Sequence, residues 1–333
     1  MARRVVKRLG PYVLTLWAAL TISFALPRVA PGEPLDYLLG YDAGLLSPAD
    51  RTRVLAQYGL DRPVGAQYLG YIAGIATGDL GTSVRTGRPV REMVAPRLGW
   101  TLALAIPTIV LATLVGVPLG ALAAWRRKRR TDVALTGSAL LLTSIPAFWL
   151  GLVFVALLAA GLGWFPVIAS LPLEASGPAA AVELAHRLAL PVLTLTLGVA
   201  GWMLLTSRAA VEGTLGEAYL RLAQANGIPD GAILRRHALR NALLPVVTNA
   251  GLTLGTLIGG VVVIETVFSV PGIGSLMYTS VLARDYPTLQ GAFLITVAAV
   301  VGANLLADLA YPLLDPRVRR DRIARPRSST GDG

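Results

Sequence analysis

Few side chains in this 333-residue sequence could carry covalent chemistry. Cysteine is absent, which excludes thiolate catalysis, disulfides and Cys-based zinc or iron–sulfur sites. The two imidazoles, His186 and His237, stand far apart and belong to no HExxH pattern, so no histidine metal centre is expected. No Gly-Lys dipeptide occurs, hence no GxxxxGK[ST] loop to cradle the phosphates of a nucleotide. What remains is a set of polar groups set into apolar sequence: Glu265, Asp308, Asn249 and Asn304. A charge at the centre of a membrane helix costs about 2.5–3.5 kcal/mol on insertion scales, so such a group needs a role. Glu265, Phe268 and Asn249 are the candidates for a gate or translocation path. A structural hydrogen bond is the competing reading for Glu265, and helix packing that for Asn249, Asn304 and Asp308.

The richest polar stretch runs from Glu217 to Pro245 and contains Arg221, Ala223, Gly227, Pro229, Asp230 and Arg236. Its local chemistry reads as helix, sharp turn, helix. Glu212 and Glu217 favour a helix N-terminus through the macrodipole. Gly227 suits the left-handed position that ends a helix, and Pro229 prevents continuation. Asp230 then serves as N-cap or first-turn acid of the second helix. Such a knob gives a partner something to grip. The alternative is an amphipathic loop resting on lipid headgroups.

These groups need elements to hold them, and composition says which. With 54% hydrophobic and 15% charged residues and a mean hydropathy of +0.61, the chain is far more apolar than a soluble domain. Six apolar blocks stand out, Leu9–Leu26, Thr101–Ala124, Val133–Ala160, Leu188–Leu205, Leu244–Phe268 and Gly291–Leu314, each long enough to span hydrocarbon. The first block, behind Arg3, Arg4, Lys7 and Arg8, is expected to be retained as a span, because no small-x-small cleavage site follows it. The net charge of +11 lies between blocks and at the ends, where it sets orientation and meets lipid rather than nucleic acid. Twenty Lys and Arg fall on the side of the N-terminus, residues 126–130, the loop 208–243 and the tail, against ten on the other side. Both termini are therefore expected in the cytoplasm. The sequence reads as an all-α membrane protein of six spans. Residues 1–26 hold the N-terminus and first span, 27–100 an external segment with short helices, 101–314 a five-helix core and 315–333 a basic, disordered tail.

The 208–243 loop resembles the EAA loop of ABC importer permeases. Arg221-Leu222-Ala223 stands where that motif has a glutamate and two alanines, and Gly227 follows four residues after the last of them. Pro245 closes the loop at the longer spacing of the peptide and nickel branch. Further matching segments are Gly78-Asp79-Leu80-Gly81-Thr82-Ser83, Ser144-Ile145-Pro146-Ala147-Phe148 and Arg236 to Pro245. They continue with Glu265 to Gly274, Arg284-Asp285-Tyr286-Pro287 and Asp315-Pro316-Arg317. On these the chain is identified as a member of the dipeptide, oligopeptide and nickel permease family, and its long external segment resembles the B-type subunit.

That resemblance implies a type I importer permease in the bacterial inner membrane. It implies a heterodimer with a related permease, two ABC ATPase subunits or domains, and an external substrate-binding protein. No cofactor is implied in this chain, and ATP and Mg would sit on the ATPases. Glu217 to Arg236 would deliver ATPase motion to the pore helices, with Ala223 on the docking face. The implied cargo is a di- or oligopeptide, with nickel chelate, glutathione or oligosaccharide as alternatives. A secondary transporter should show mid-membrane charges and repeated halves, and a membrane-embedded enzyme a clustered nucleophile and base; the sequence displays neither.

Overall fold

The computed structural model describes residues 2–29, 35, 47–57, 60–170, 177–215 and 217–314, which are overwhelmingly helical. Residues 30–34, 36–46 and 58–59, the tail 315–333 with its Asp315-Pro316-Arg317 motif, and the side chains of Arg236 and His237 lie outside the described residues. A single isolated antiparallel bridge, Thr82 to Pro89, is the sole extended pairing among the described residues.

The order is α1 (Ala2–Val29), α2 (Pro48–Gln57), α3 (Val64–Ala76), α4 (Val90–Trp125), α5 (Arg130–Ser144) and α6 (Ala147–Phe154), which widens into a π-helical stretch, Val155–Gly161. After α7 (Gly177–Thr214) and α8 (Ala218–Ala225), α9 (Asp230–Ala232) winds through a π-helical stretch (Ile233–Ala238) into α10 (Leu239–Gly260). Then come α11 (Val262–Val267), α12 (Ile273–Leu282) and α13 (Tyr286–Leu314).

All six apolar blocks are helical, but they are not six equal rods. Leu9–Val29, Val90–Trp125, Gly177–Thr214 and Tyr286–Asp308 are each long and apolar enough to cross a bilayer alone. The third block is the pair α5 and α6, bent by 92° and counted as a fifth crossing if the pair is one broken span. Pro146 lies at that break and has no N–H to donate to a continuing ladder. The fifth block is divided at Val261 between α10 and α11. α4 begins at Val90, well before the apolar block that predicts it, because Val90 and Val94 extend its buried face.

The chain forms two compact units, to which several long helices contribute in turn. One comprises Met1–Pro107, Ala147–Thr194 and Gly255–Val301; the other comprises Thr108–Pro146, Leu195–Leu254 and Gly302–Gly333. In the first, Val90, Val94, Ile273, Leu276 and Ala292 form a buried cluster. Gly291 lets α13 approach α4 there: a Cβ on it would lie 2.4 Å from Val90 Cγ1. In the second, α4 and α7 pack backbone to backbone. A Cβ on Gly116 would fall 2.6 Å from the Ala200 carbonyl oxygen, and one on Gly120 would fall 2.3 Å from that of Leu204. Close approach at small residues is how membrane helices gain dispersion contacts when no hydrophobic effect operates between them.

Candidate coupling site

α8 starts where Glu217 takes an extended conformation (φ −71°, ψ 142°) and accepts the Leu220 N–H through its carbonyl, its side chain making no cap bond. The helix ends in a Schellman motif. Gly227 has φ +73°; its N–H donates to the Gln224 carbonyl at 3.0 Å and that of Ile228 to Ala223 at 3.2 Å. Pro229 is the N-cap of the next helix and Asp230 its first-turn acid. The carbonyl of Pro229 accepts from Ala232 at 2.8 Å and Ile233 at 3.0 Å.

One face of α8 is committed to the protein. Leu220 and Ala223, three residues apart, pack with Ala121 and Ala124 of α4, Val211 of α7, and Ile233 and Ala238 of the π-helical stretch. Ala223 is only 7% exposed, so it is a packing residue and not on the docking face the resemblance assigned to it. The outward face carries Arg221, Leu222, Gln224 and Ala225, with Gly227, Pro229 and Asp230 exposed beyond. Leu222 is 63% exposed, an apolar side chain held out on a charged loop.

Beside this helix lies an ionic network. Arg208 on α7 holds Asp132 through two nitrogens, Nε to Oδ1 at 2.7 Å and Nη2 to Oδ2 at 3.0 Å. Its Nη1 reaches Glu212 Oε2 at 2.9 Å, and Arg127 Nη2 reaches Glu212 Oε1 at 2.9 Å. Asp132 also accepts the Lys128 N–H at 3.0 Å, closing a turn in which Lys128 has φ +63°. Glu212 is therefore not a helix N-terminal acid, as the sequence suggested, but sits near the end of α7 facing two arginines. Asp132 and Arg208 were missed. The available signal was that Asp132 is the sole acid between Glu92 and Glu174 and follows five basic residues.

Of the gate candidates, Glu265 is fully buried. Its Oε1 accepts from Thr101 Oγ1 at 2.6 Å and its Oε2 from the Ser275 N–H at 2.8 Å, with the Gly274 backbone also donating. Thr101 Oγ1 in turn accepts the Ile273 N–H at 2.9 Å. Glu265 thus caps α12 from a neighbouring helix. Its carboxyl group sits at the positive end of that helix. Phe268 is 1% exposed and packs against Gly151, where a Cβ would stand 3.1 Å from its ring. Asn249 is half-buried on α10 in the other compact unit. The matching segments 78–83 and 284–287 meet at Asp285, which accepts from Ser83 Oγ at 2.5 Å and Thr288 Oγ1 at 2.7 Å.

Comparison with known proteins places this architecture. Residues 116–320 match the family model described as the binding-protein-dependent transport system inner membrane component. The chain belongs to this family. It is 35% identical to the oligopeptide transport system permease protein AppB of Bacillus subtilis, over 96% of this chain and 99% of that protein. It is also 35% identical to the dipeptide transport system permease protein DppB of Escherichia coli K12, over 97% of this chain and all of that one. A putative peptide permease protein of Brucella ovis is 37% identical over 92% of this chain and 96% of its own length. Among solved structures, an inward-facing MetNI methionine ABC transporter aligns with a TM-score of 0.55 at 19% identity, covering 67% of this chain and 96% of that one, a likeness of fold. As a member of the family, the chain is a multi-pass inner-membrane permease subunit of an ABC importer, working with an ATPase and an external binding protein.

Proposed function

We propose that this permease subunit forms half of the pore of a di- and oligopeptide importer. Its other half is a related permease; two ABC ATPase subunits or domains bind ATP and Mg, and this chain hydrolyses nothing itself. Substrate arrives on the external binding protein and crosses by alternating access, a two-state switch biased by ATP. The peptide assignment is supported by the names of the relatives that match nearly end to end.

One observation carries the coupling part of the reading. α8 fixes one face on α4 and α7 while it holds Leu222 and the Gly227 turn out on the surface. A short helix seated in this way transmits a push to the spans beneath it. Gly227→Val tests it. No atom lies within 4 Å of where the new Cβ would stand, but φ +73° is a conformation that a β-branched residue strongly resists, at about 1–2 kcal/mol for an ordinary L-residue. In the assembled transporter we expect normal membrane insertion, weaker retention of the ATPase and loss of peptide uptake. A Leu222→Cys variant should cross-link to the ATPase. Full uptake by Gly227→Val together with no cross-link would return the loop to the lipid surface.

A further inference from the structure

We infer that Arg208 and Asp132 extend the coupling path to a helix the loop does not adjoin in sequence, and that they are positioning residues for transport. This rests on the coupling role proposed for α8. By chain connectivity alone, a push on α8 reaches only α7 before it and α9 with α10 after it. The ionic network adds a third recipient. Arg208 lies near the end of α7, and Asp132 is in the first turn of α5, the leading half of the bent pair.

The network has an inner and an outer joint of different character. At the inner joint the Asp132 side chain is 7% exposed and that of Arg208 25%, and the carboxylate is gripped at both oxygens. Bidentate guanidinium–carboxylate pairing fixes orientation as well as distance, and the Lys128 N–H and Thr136 hydroxyl hold Asp132 from behind. At the outer joint, Arg127 is 54% exposed, in the range where ion pairs contribute little. Displacement of the α7 end is therefore passed to α5 through Arg208 and Asp132, while Arg127 and Glu212 can part. α4 is drawn along too: Ala121 and Ala124 lie under α8 itself. The loop accordingly drives α4, α5 and α7 together.

The test uses the complete transporter in proteoliposomes with loaded binding protein, reading uptake and ATP hydrolysis side by side. Asp132→Asn keeps shape and removes the charge that Arg208 grips. We expect uptake per ATP hydrolysed to fall about tenfold, in the range of a coupling between sites, with ATPase retention and basal hydrolysis kept. Arg127→Ala should leave the ratio within about twofold. The exchange Asp132→Arg with Arg208→Asp should recover part of the ratio that either single change loses. If Asp132→Asn leaves the ratio unchanged, or lowers uptake and hydrolysis in proportion as the complex falls apart, the inference is overturned. A silent Asp132→Asn beside an uncoupled Gly227→Val would sink this inference and spare the coupling loop; both silent would sink the two together.

Discussion

Glu265 and Gly272 define one another. A Cβ on Gly272 would lie 2.0 Å from Glu265 Oε1, which no side chain can occupy, so Gly272→Ala must open the carboxylate's contacts with the α12 N-terminus. Buried donors left unmet cost about 1–3 kcal/mol each, and the expected outcome is a lower melting temperature and reduced yield in membranes. The mechanism predicts non-additivity: Gly272→Ala combined with Glu265→Ala should be no less stable than Glu265→Ala alone. Fully additive losses would show that the clash is not the cause. At this scale the sequence is legible where the chemistry is local. Gly227, with Pro229 two residues on, announces its own backbone. Glu265 does not, because its partners lie 10 and 164 positions away and no spacing rule connects them. Ala223 was misread because a motif names a residue without saying which way it points, whereas its spacing of three from buried Leu220 does.

At the scale of elements, apolar block length finds the membrane helices but not their breaks. Pro146 and the glycine-rich approach to Val261 are visible in the sequence, yet proline and glycine are tolerated inside membrane helices when neighbours satisfy the freed groups. Only packing tells a kink from a 92° turn. Orientation rests instead on charge, twenty basic residues against ten. Single cysteines in this cysteine-free chain should report it directly. At Arg88, before α4, a cysteine should react with an impermeant maleimide added outside; at Arg129, before α5, it should react only after the membrane is opened. Both positions are exposed, and each change removes one charge from its own side, so the bias persists. Reaction of both from one face would overturn the orientation.

For the molecule as a whole, no nucleotide loop is present in the sequence, and AppB and DppB, which match it nearly end to end, are named as permease proteins. The purified subunit should therefore neither hydrolyse ATP nor be stabilised by Mg-ATP in a thermal shift assay, whereas the assembled complex should do both. Saturable nucleotide binding to the isolated chain would contradict the division of labour. Between these scales lies the seam of α4 and α7, where Gly116 and Gly120 bring two backbones together with no side chain between them. Every amino acid that a single base change can put in place of glycine adds at least a Cβ. Neutral drift is thus closed at these two codons, while Leu114 beside them, 66% exposed, has room for exchange among apolar residues. The history of this permease should be written on one side of α4 and nearly blank on the other.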